Sequence, residues 1–277
     1  MIDISFEVFP PKTEAGLAQL TDTARLLAAV DPVFLSVTYG AGGSQHQRSF
    51  AAIEATAAGG ATIAAHLTCV GQPVSEIAAV MDSYDRLGVE HIVALRGDPP
   101  TGIDAPYEPH PEGYQRTADL VAAAVARNRF EVIVSAYPER HPQSPSDAHD
   151  LDVLAEKVAA GATKAITQMF FDVDRFARYL ERVRARGIDI PIVPGIFPIH
   201  SFASVANFAA RCGAAMPTSV ADRFAPHLDD PVATHELAAD HAAEMIERLI
   251  TLGIDHVHLY TLNRADLALA VRERVAP

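Results

Sequence analysis

The chain has 277 residues, of which 49% are hydrophobic and 21% charged, and its net charge is −13. This length suits one α/β barrel, which needs roughly 250 residues, so we expect a single domain over residues 1–277. The acidic balance disfavours nucleic acid and anionic membranes as partners. Two cysteines, no signal sequence at the first residues and no apolar run of about 18 residues predict a cytoplasmic protein outside the membrane.

Short apolar runs alternate with segments of helical period along the chain. The predicted strands, in chain order, are Ile4–Phe9, Val33–Val37, Thr62–Leu67, His91–Leu95, Val132–Ala136, Lys164–Gln168, Ile192–Val193 and His256–Tyr260. Alternating strands and helices indicate a parallel sheet. Eight such units favour a closed (βα)8 TIM barrel, and an open doubly wound sheet is the alternative.

Helical spacing and glycine stops predict the segments between the strands. The predicted helices follow Thr13 and then cover about Gln47–Ala58, Val74–Leu87, Tyr114–Arg127, Asp150–Ala160, Val173–Arg186, Ser201–Cys212, Val232–Leu252 and the residues from Arg264. A further helical insertion is predicted from Pro217 to Phe224, between strands seven and eight. The long loops Gly97–Gly113 and Tyr137–Ala148 are expected to bind a ligand, because long loops in compact domains are often functional.

Glu7 is the first candidate for chemistry. It lies within the apolar first strand, where alternation places it on one face with Ser5 and Phe9. If that face lines the barrel interior, loss of hydration raises the pKa of Glu7 and suits it to general acid catalysis. The alternative is an outward carboxylate paired with a lysine or arginine.

Asp98 is the second candidate, because it follows the apolar fourth strand, where a barrel presents catalytic side chains. Gly97 before it permits close approach of the backbone to a ligand. The alternative is an ordinary Asp-Pro turn with Pro99.

A glycine-rich loop, Gly40–Gly43, follows the second strand, but Gln45 stands where a Rossmann fingerprint requires its third glycine. Its amides could cradle a phosphate at a helix N-terminus, or the loop could be a plain flexible turn. Without a dinucleotide fingerprint, the sequence does not distinguish NADH from NADPH.

The chain contains 12 histidines, which raises the question of a metal site. His256 and His258 share one face of strand eight, but no third and fourth ligand is evident, so buried hydrogen-bonded histidines are the preferred interpretation and no metal is predicted. A metal-dependent TIM-barrel hydrolase using this pair and carboxylates at the mouth is one alternative function. A flavin- or folate-binding barrel without turnover is another. His66 and His141, at strand ends, are better candidates for ligand contacts.

Eight stretches in register resemble the catalytic domain of the methylenetetrahydrofolate reductase family. They are FEVFPPK at Phe6–Lys12, SVTYGAGG at Ser36–Gly43, AHLTC at Ala65–Cys69, ALRGDPP at Ala94–Pro100, SAYPERHP at Ser135–Pro142, AITQMFFD at Ala165–Asp172, PGIFPI at Pro194–Ile199 and LYTLNR at Leu259–Arg264. The stretches cover nearly the whole chain. The resemblance implies a (βα)8 barrel that carries FAD.

The resemblance also implies a reaction. NADH or NADPH reduces the flavin, and hydride then passes from FAD N5 to 5,10-methylenetetrahydrofolate, which becomes 5-methyltetrahydrofolate. By this resemblance Glu7 is the acid that protonates the folate nitrogen. Asp98 is an anion near flavin and pterin that stabilises cationic folate intermediates.

Further site residues are implied by the same resemblance. The residues expected to hold FAD are Thr38, Tyr39, Ala41, His66, Arg96, Gly97, Asp98, Tyr114, Tyr137, His141, Asp150 and Lys157. The substrate is expected to contact Glu7, Gln168, Phe202 and Arg264, of which Arg264 pairs with the folate glutamate. The family also suggests a homo-oligomer.

The chain departs from the family pattern on the helix after strand five. Val153 and Glu156 stand where the pattern has an asparagine and an arginine near the FAD tail. A flavin-independent folate reductase of the same family is therefore the closest alternative. The chain ends after the barrel, so feedback by S-adenosylmethionine through a regulatory domain is not expected.

Overall fold

The computed structural model describes residues 2–39, 44–99 and 105–275, which form nine strands and ten α-helices. The strands are β1 (Asp3–Val8), β2 (Leu35–Val37), β3 (Ile63–Thr68), β4 (His91–Leu95), β5 (Glu131–Ala136), β6 (Lys164–Thr167), β7 (Ile192–Val193), β8 (Gly195–Ile196) and β9 (His256–Tyr260). The helices are α1 (Glu14–Ala28), α2 (Ser44–Ala57), α3 (Val74–Arg86), α4 (Thr117–Ala126), α5 (Asp147–Ala159), α6 (Val173–Ala185), α7 (Phe202–Arg211), α8 (Thr218–Phe224), α9 (Pro231–Thr251) and α10 (Ala265–Val275).

All strands are parallel and follow the order β7-β6-β5-β4-β3-β2-β1-β9-β8. β7 and β8 are two halves of one barrel strand, interrupted at Pro194. The first half pairs with β6 and the second with β9, and His258 N donates to Pro194 O at 2.9 Å. This shared strand closes the sheet. The predicted (βα)8 barrel is confirmed, and the open-sheet alternative is wrong.

The barrel interior is apolar on one side only. Six residues from neighbouring strand positions form its inner cluster: Phe34, Ala64, Val93, Ile133, Ile166 and Val193. β1 and β9 instead direct Ser5, His256 and His258 inward, all of them buried. The larger apolar core lies between the sheet and the helices. Barrel interiors are usually filled by apolar side chains, so the buried polar residues on β1 and β9 are a departure from ordinary barrel packing.

Two helices, α4 and α5, begin at other residues than the sequence predicts. α4 begins at Thr117, so Tyr114 lies in the loop before it and not in its first turn. α5 begins at Asp147, because the Ser146 side chain accepts a hydrogen bond from His149 N and caps the helix ahead of Asp150. The predicted insertion is present as α8 and a 3-10 turn at Ala225–His227. Within the described ranges, no helix combines the length and apolar character of a membrane span.

Candidate active site at the carboxyl ends of the strands

Glu7 points into the barrel mouth, so the inward alternative of the sequence analysis is confirmed. Its Oε2 lies 3.4 Å from His66 Nε2 and 3.7 Å from His258 Nε2, and its side chain is 21% exposed. Phe9, expected on the same face, lies beyond the end of β1 and is 41% exposed. The mouth therefore gathers residues from three distant strands around one carboxyl group.

The charge state of Glu7 follows from its surroundings. Burial raises the pKa of Glu7, and His66 opposes this shift. Burial also lowers the pKa of His66 and lowers that of His258 to about 3, so the imidazole rings are held neutral. A partly buried carboxyl group beside neutral rings keeps its proton to higher pH than a fully exposed one. This is the state that a general acid requires.

A buried hydrogen-bond network lies directly below Glu7. Ser5 Oγ hydrogen-bonds with His258 Nδ1 at 2.7 Å and with His256 Nε2 at 2.9 Å. Ser36 Oγ lies 3.4 Å from His258 Nε2. These contacts confirm that His256 and His258 are buried hydrogen-bonded histidines. Over the described ranges, no three His, Cys, Asp or Glu residues are arranged as metal ligands.

Two buried polar atoms at the end of β3 face the same mouth. Thr68 Oγ1 has no hydrogen-bond partner among the residues that the structure describes, and the one contact of His66 Nε2 there is with Glu7 Oε2 at 3.4 Å. Since buried polar groups are normally paired, these atoms indicate a polar ligand at this position.

Asp98 lies at the rim of the mouth, where its side chain is 61% exposed and 3.9 Å from Arg96 Nη2. Gly97 before it has φ +82°. A Cβ on Gly97 would lie 2.5 Å from Val70 Cγ1 and 2.8 Å from Thr68 Cβ. The turn that presents Asp98 therefore depends on glycine, both for its backbone conformation and for its close packing on β3.

Arg96 is held by side chains from two loops. Its Nη2 donates to Gln143 Oε1 at 2.5 Å, and its guanidinium lies 4.6 Å from the centre of the Tyr107 ring. Gln143 Nε2 donates in turn to Ala105 O at 2.7 Å. These residues line an open cleft of about 360 Å³. The cleft presents an oriented cation beside the barrel mouth.

The predicted residues after β5 form one contact group. Tyr137 packs edge-to-face on His141 with ring centres 4.8 Å apart, and Asp150 Oδ2 accepts from His141 N at 3.0 Å. Lys157 is buried and donates to Ser135 O at 2.5 Å. Burial lowers the pKa of Lys157 to about 8, and Asp150 opposes this shift. A buried lysine of this kind is costly to the fold unless a ligand or partner uses its charge.

The predicted residues after β2 are only partly described. Tyr39 Oη donates to Gln72 Oε1 at 2.9 Å and lies 2.7 Å from His46 Nε2. Thr38 N donates to Val8 O, which places Thr38 at the rim beside β1. Ala41 and the glycines around it lie outside the described residues.

The residues predicted to contact substrate lie on the β6–β9 side. Gln168 follows β6 and its Oε1 accepts from Met169 N at 2.9 Å. Phe202 begins α7 and stacks on Phe224 with ring centres 6.0 Å apart. Arg264 Nη2 lies 3.4 Å from Asp266 Oδ2 and lines a small cavity with Tyr260. Among the described residues, no hydrogen bond or ion pair joins any of these three to Glu7.

The two departures from the family pattern lie on α5. Glu156 Oε2 is 3.5 Å from Arg116 Nη1, and its side chain is 49% exposed. Glu156 therefore pairs with Arg116, at a position where the resemblance leads us to expect an arginine. Tyr114, predicted to contact the cofactor, packs against the hydrophobic core before α4.

Sequence reasoning assigned no role to several residues of this region, although Tyr260 stood out as the residue that ends the last strand. Tyr260 pairs in register with Glu7, and its Oη donates to Thr167 O at 2.8 Å. Its inward direction follows from the same two-residue alternation as His258, so that signal was available. Tyr107, Gln143 and His200 lie in loops, where no periodicity reveals which side chains turn inward.

The comparisons with known proteins agree with this geometry. The chain matches the family model "Methylenetetrahydrofolate reductase" over residues 1–276. It is 38% identical over 272 residues to 5,10-methylenetetrahydrofolate reductase of Escherichia coli, with 98% of this chain and 89% of that protein covered. It is 35% identical to methylenetetrahydrofolate reductase 2 of Saccharomyces cerevisiae, with 98% of this chain and 46% of that protein covered.

One solved structure shows the same fold at low sequence identity. A protein from Clostridium thermocellum, described as binding two copies of 5-methyl-5,6,7,8-tetrahydrofolic acid, superposes with a TM-score of 0.65 at 14% identity, with 99% of this chain and 95% of that chain covered. At this identity the likeness supports the barrel alone. The family match along the sequence carries the assignment, and this chain therefore belongs to the methylenetetrahydrofolate reductase family of oxidoreductases.

Proposed function

We propose that this chain reduces 5,10-methylenetetrahydrofolate to 5-methyltetrahydrofolate with electrons from NADH or NADPH. The observation that carries the proposal is Glu7, a partly buried carboxyl group of raised pKa at the mouth of the barrel. The relatives that share the chain's sequence are named for the same reaction. A protein of the same fold from Clostridium thermocellum is described as binding 5-methyl-5,6,7,8-tetrahydrofolic acid, which supports a folate ligand.

Glu7 is proposed as the general acid. Proton transfer from its carboxyl group to a nitrogen of the methylene bridge breaks one carbon–nitrogen bond and leaves a cationic iminium on the other nitrogen. Hydride addition to that carbon completes the methyl group. Asp98, at the rim, contributes negative charge toward the cationic intermediate. His66 and His258 lie beside the Glu7 carboxyl group. Because both rings are neutral, they carry no positive charge that would lower the pKa of Glu7.

The donor set of the mouth fits FAD. Arg96 and Lys157 would supply positive charge for a diphosphate, and Tyr39 and Tyr137 would supply ring faces and hydroxyl groups. Thr68 Oγ1 is a buried polar atom without a hydrogen-bond partner within the described residues. FAD, when bound, supplies the hydride acceptor and donor that links NAD(P)H to folate. The residues proposed to hold it are Thr38, Tyr39, Ala41, His66, Arg96, Gly97, Asp98, Tyr114, Tyr137, His141, Asp150 and Lys157.

A second candidate is direct hydride transfer from NAD(P)H to folate without a flavin. The observation that favours it is Glu156 on α5, a carboxylate paired with Arg116 at 3.5 Å where the family resemblance leads us to expect an arginine for the FAD tail. In this alternative Glu7 keeps the same role, because the folate nitrogen needs the same proton.

An absorbance spectrum and two assays test both candidates. Freshly purified protein is expected to show flavin absorption, to oxidise NADH or NADPH with menadione as acceptor, and to form 5-methyltetrahydrofolate. Turnover of folate by protein that stays colourless, with and without added FAD, would support the flavin-independent candidate. Absence of folate turnover with both nucleotides and added FAD would reject the proposed function.

A further inference from the structure

Two imidazole rings approach Glu7 at the same carboxyl oxygen. Glu7 Oε2 lies 3.4 Å from His66 Nε2 and 3.7 Å from His258 Nε2. Glu7 Oε1 makes no hydrogen bond among the residues that the structure describes. The two oxygens of this carboxyl group therefore have different surroundings. A general acid carries its proton on one oxygen, and that oxygen has to face the substrate.

The hydrogen bonds of His258 indicate where its own ring hydrogen lies. Burial lowers the pKa of His258 to about 3 and that of His256 to about 4, so near neutral pH each ring has one N–H and one lone pair. Ser5 Oγ lies between the rings, 2.7 Å from His258 Nδ1 and 2.9 Å from His256 Nε2. Because a serine hydroxyl has one hydrogen, Ser5 donates to one ring and accepts from the other.

Two observations favour donation from Ser5 to His258. An O–H donor usually makes shorter hydrogen bonds, about 2.7–2.8 Å, than an N–H donor, about 2.9–3.0 Å. The 2.7 Å contact is therefore assigned to Ser5 O–H and His258 Nδ1, and the 2.9 Å contact to His256 N–H and Ser5 Oγ. In addition, His258 Nε2 faces two oxygens, Glu7 Oε2 at 3.7 Å and Ser36 Oγ at 3.4 Å, beside which an N–H is more favourable than a lone pair.

We propose that Ser5 is a positioning residue that holds the hydrogen of His258 on Nε2, so that Glu7 Oε2 is the accepting oxygen and Oε1 carries the proton for folate. The proposal deepens the proposed function and rests on it, because it takes Glu7 as the acid. In the step itself the Oε1–H bond breaks and its proton forms the new N–H bond on folate. The electron pair stays on the carboxylate, which the N–H of His258 beside Oε2 stabilises.

The tautomer of His258 is measured without any substrate. Proton–nitrogen correlation spectra of the full chain carrying ¹⁵N-labelled histidine report which ring nitrogen holds the hydrogen, and the signals lost in His258→Gln identify this ring. We expect the hydrogen on Nε2 in the unsubstituted protein. A spectrum with the hydrogen on Nδ1 would overturn the inference.

Two substitutions of His256 that have the same shape test the part of Ser5. In His256→Gln the amide N–H can still donate to Ser5 Oγ, as the ring does. In His256→Glu the ionised carboxylate only accepts, so Ser5 has to donate to it and to accept from His258 Nδ1–H. The titratable groups whose charges act on this position are His258, Lys164, Asp3 and Asp255. Spectra from about pH 5 to pH 9 cover the ionisation of the introduced carboxyl group.

The expected result separates the two variants. In His256→Gln the hydrogen of His258 stays on Nε2 at every pH, whereas in His256→Glu it moves to Nδ1 as the carboxyl group ionises. Where the spectra show this shift, kcat for folate reduction by His256→Glu is expected to lie at least about tenfold below that of His256→Gln, because Glu7 then turns its proton toward the lone pair on His258 Nε2. NADH oxidation by menadione is expected to be equal in both variants.

A hydrogen that stays on Nε2 in His256→Glu over the whole pH range would show that Ser5 does not set the tautomer. Equal kcat values for the two variants after the shift would reject its effect on Glu7. If His256→Glu does not fold, the spectrum of the unsubstituted protein still decides the tautomer. Failure of the proposed function looks different: the unsubstituted protein would form no 5-methyltetrahydrofolate, while the ring spectra would still place the hydrogen of His258.

Discussion

Glu7 shows how one residue changes its chemistry with its surroundings. On an exposed strand face it would be an ordinary carboxylate, but between β9 and β3 it lies beside His258 and His66. Because the rings are kept neutral by burial, they offer polar contact without the attraction of a full positive charge. The local stretch Ile4–Phe9 does not contain this information.

Glu7→Gln is expected to slow folate reduction by about 10²- to 10⁴-fold, because glutamine cannot deliver a proton. In the unsubstituted protein, folate reduction is expected to fall as pH rises through the raised pKa of Glu7, since the acid is then deprotonated. NADH oxidation by menadione needs no folate protonation and is the comparison assay. Glu54→Gln, exposed on α2, is the matched control. A normal folate rate in Glu7→Gln would reject the assigned acid.

The lowered pKa of Lys157 leads to a prediction about the pH dependence of stability. Its pKa is lowered to about 8 in the folded chain, while an exposed lysine titrates near 10.5. Between these values the unfolded chain holds the proton and the folded chain does not, so raising the pH stabilises the fold. The shift corresponds to about 3 kcal/mol.

Urea unfolding below pH 8 and near pH 10.5 would measure the free energy of unfolding of Lys157→Met and of the unsubstituted protein. The difference in free energy of unfolding, unsubstituted minus variant, is expected to rise by about 3 kcal/mol across this window. Lys12→Met, at an exposed position, should show no such rise. A constant difference for Lys157→Met would contradict the burial of a charged amine.

At the scale of elements, Gly97 after β4 has two reasons to be glycine. Its φ is positive, and a Cβ there would overlap neighbouring side chains. Gly253, after α9, has nearly the same φ, +81° against +82°, but a Cβ there meets nothing within 4 Å. Comparing alanine substitutions at the two positions therefore separates the cost of backbone strain from the cost of steric overlap.

Gly253→Ala is expected to cost about 1 kcal/mol from the positive φ alone. Gly97→Ala should cost a further 1–3 kcal/mol, roughly, because the new methyl group overlaps Val70 and Thr68. Chemical denaturation of both variants measures the difference. Equal losses would show that β3 yields freely to the added methyl group.

The elements themselves were largely predictable, and their exceptions have local causes. Strand periods and glycine stops located the strands and the insertion at α8, because these signals are short-range. The start of α5 shifted to Asp147 because Ser146 caps it. The seventh strand split at Pro194, since proline has no N–H for the ladder, and its halves pair with different neighbours.

At the scale of the whole molecule, closure brings β1 beside β9, from opposite ends of the chain. Ser5 and His258 are 253 positions apart in the sequence, and Ser5 Oγ lies 2.7 Å from His258 Nδ1. The network below Glu7 thus exists only in the closed barrel. The single domain over residues 1–277 stays a prediction.

Self-association also belongs to this scale and stays a prediction from the family resemblance. Light scattering on the purified protein is expected to give a mass that is a multiple of the 29.6 kDa chain. A mass of one chain over a wide concentration range would contradict it.

The sequence by itself determined the alternation of strands and helices, the residues at the strand ends and the family, because these depend on local periodicity and on motifs in order. It also restricted Glu7 to one of two faces. Only the tertiary structure decided which face is inside, which rings meet the carboxyl group and how Ser5 comes to lie between His256 and His258. The reason is physical: a two-residue period defines two faces equally well, whereas burial, and with it the proton affinity of a side chain, depends on all the strands that close around it.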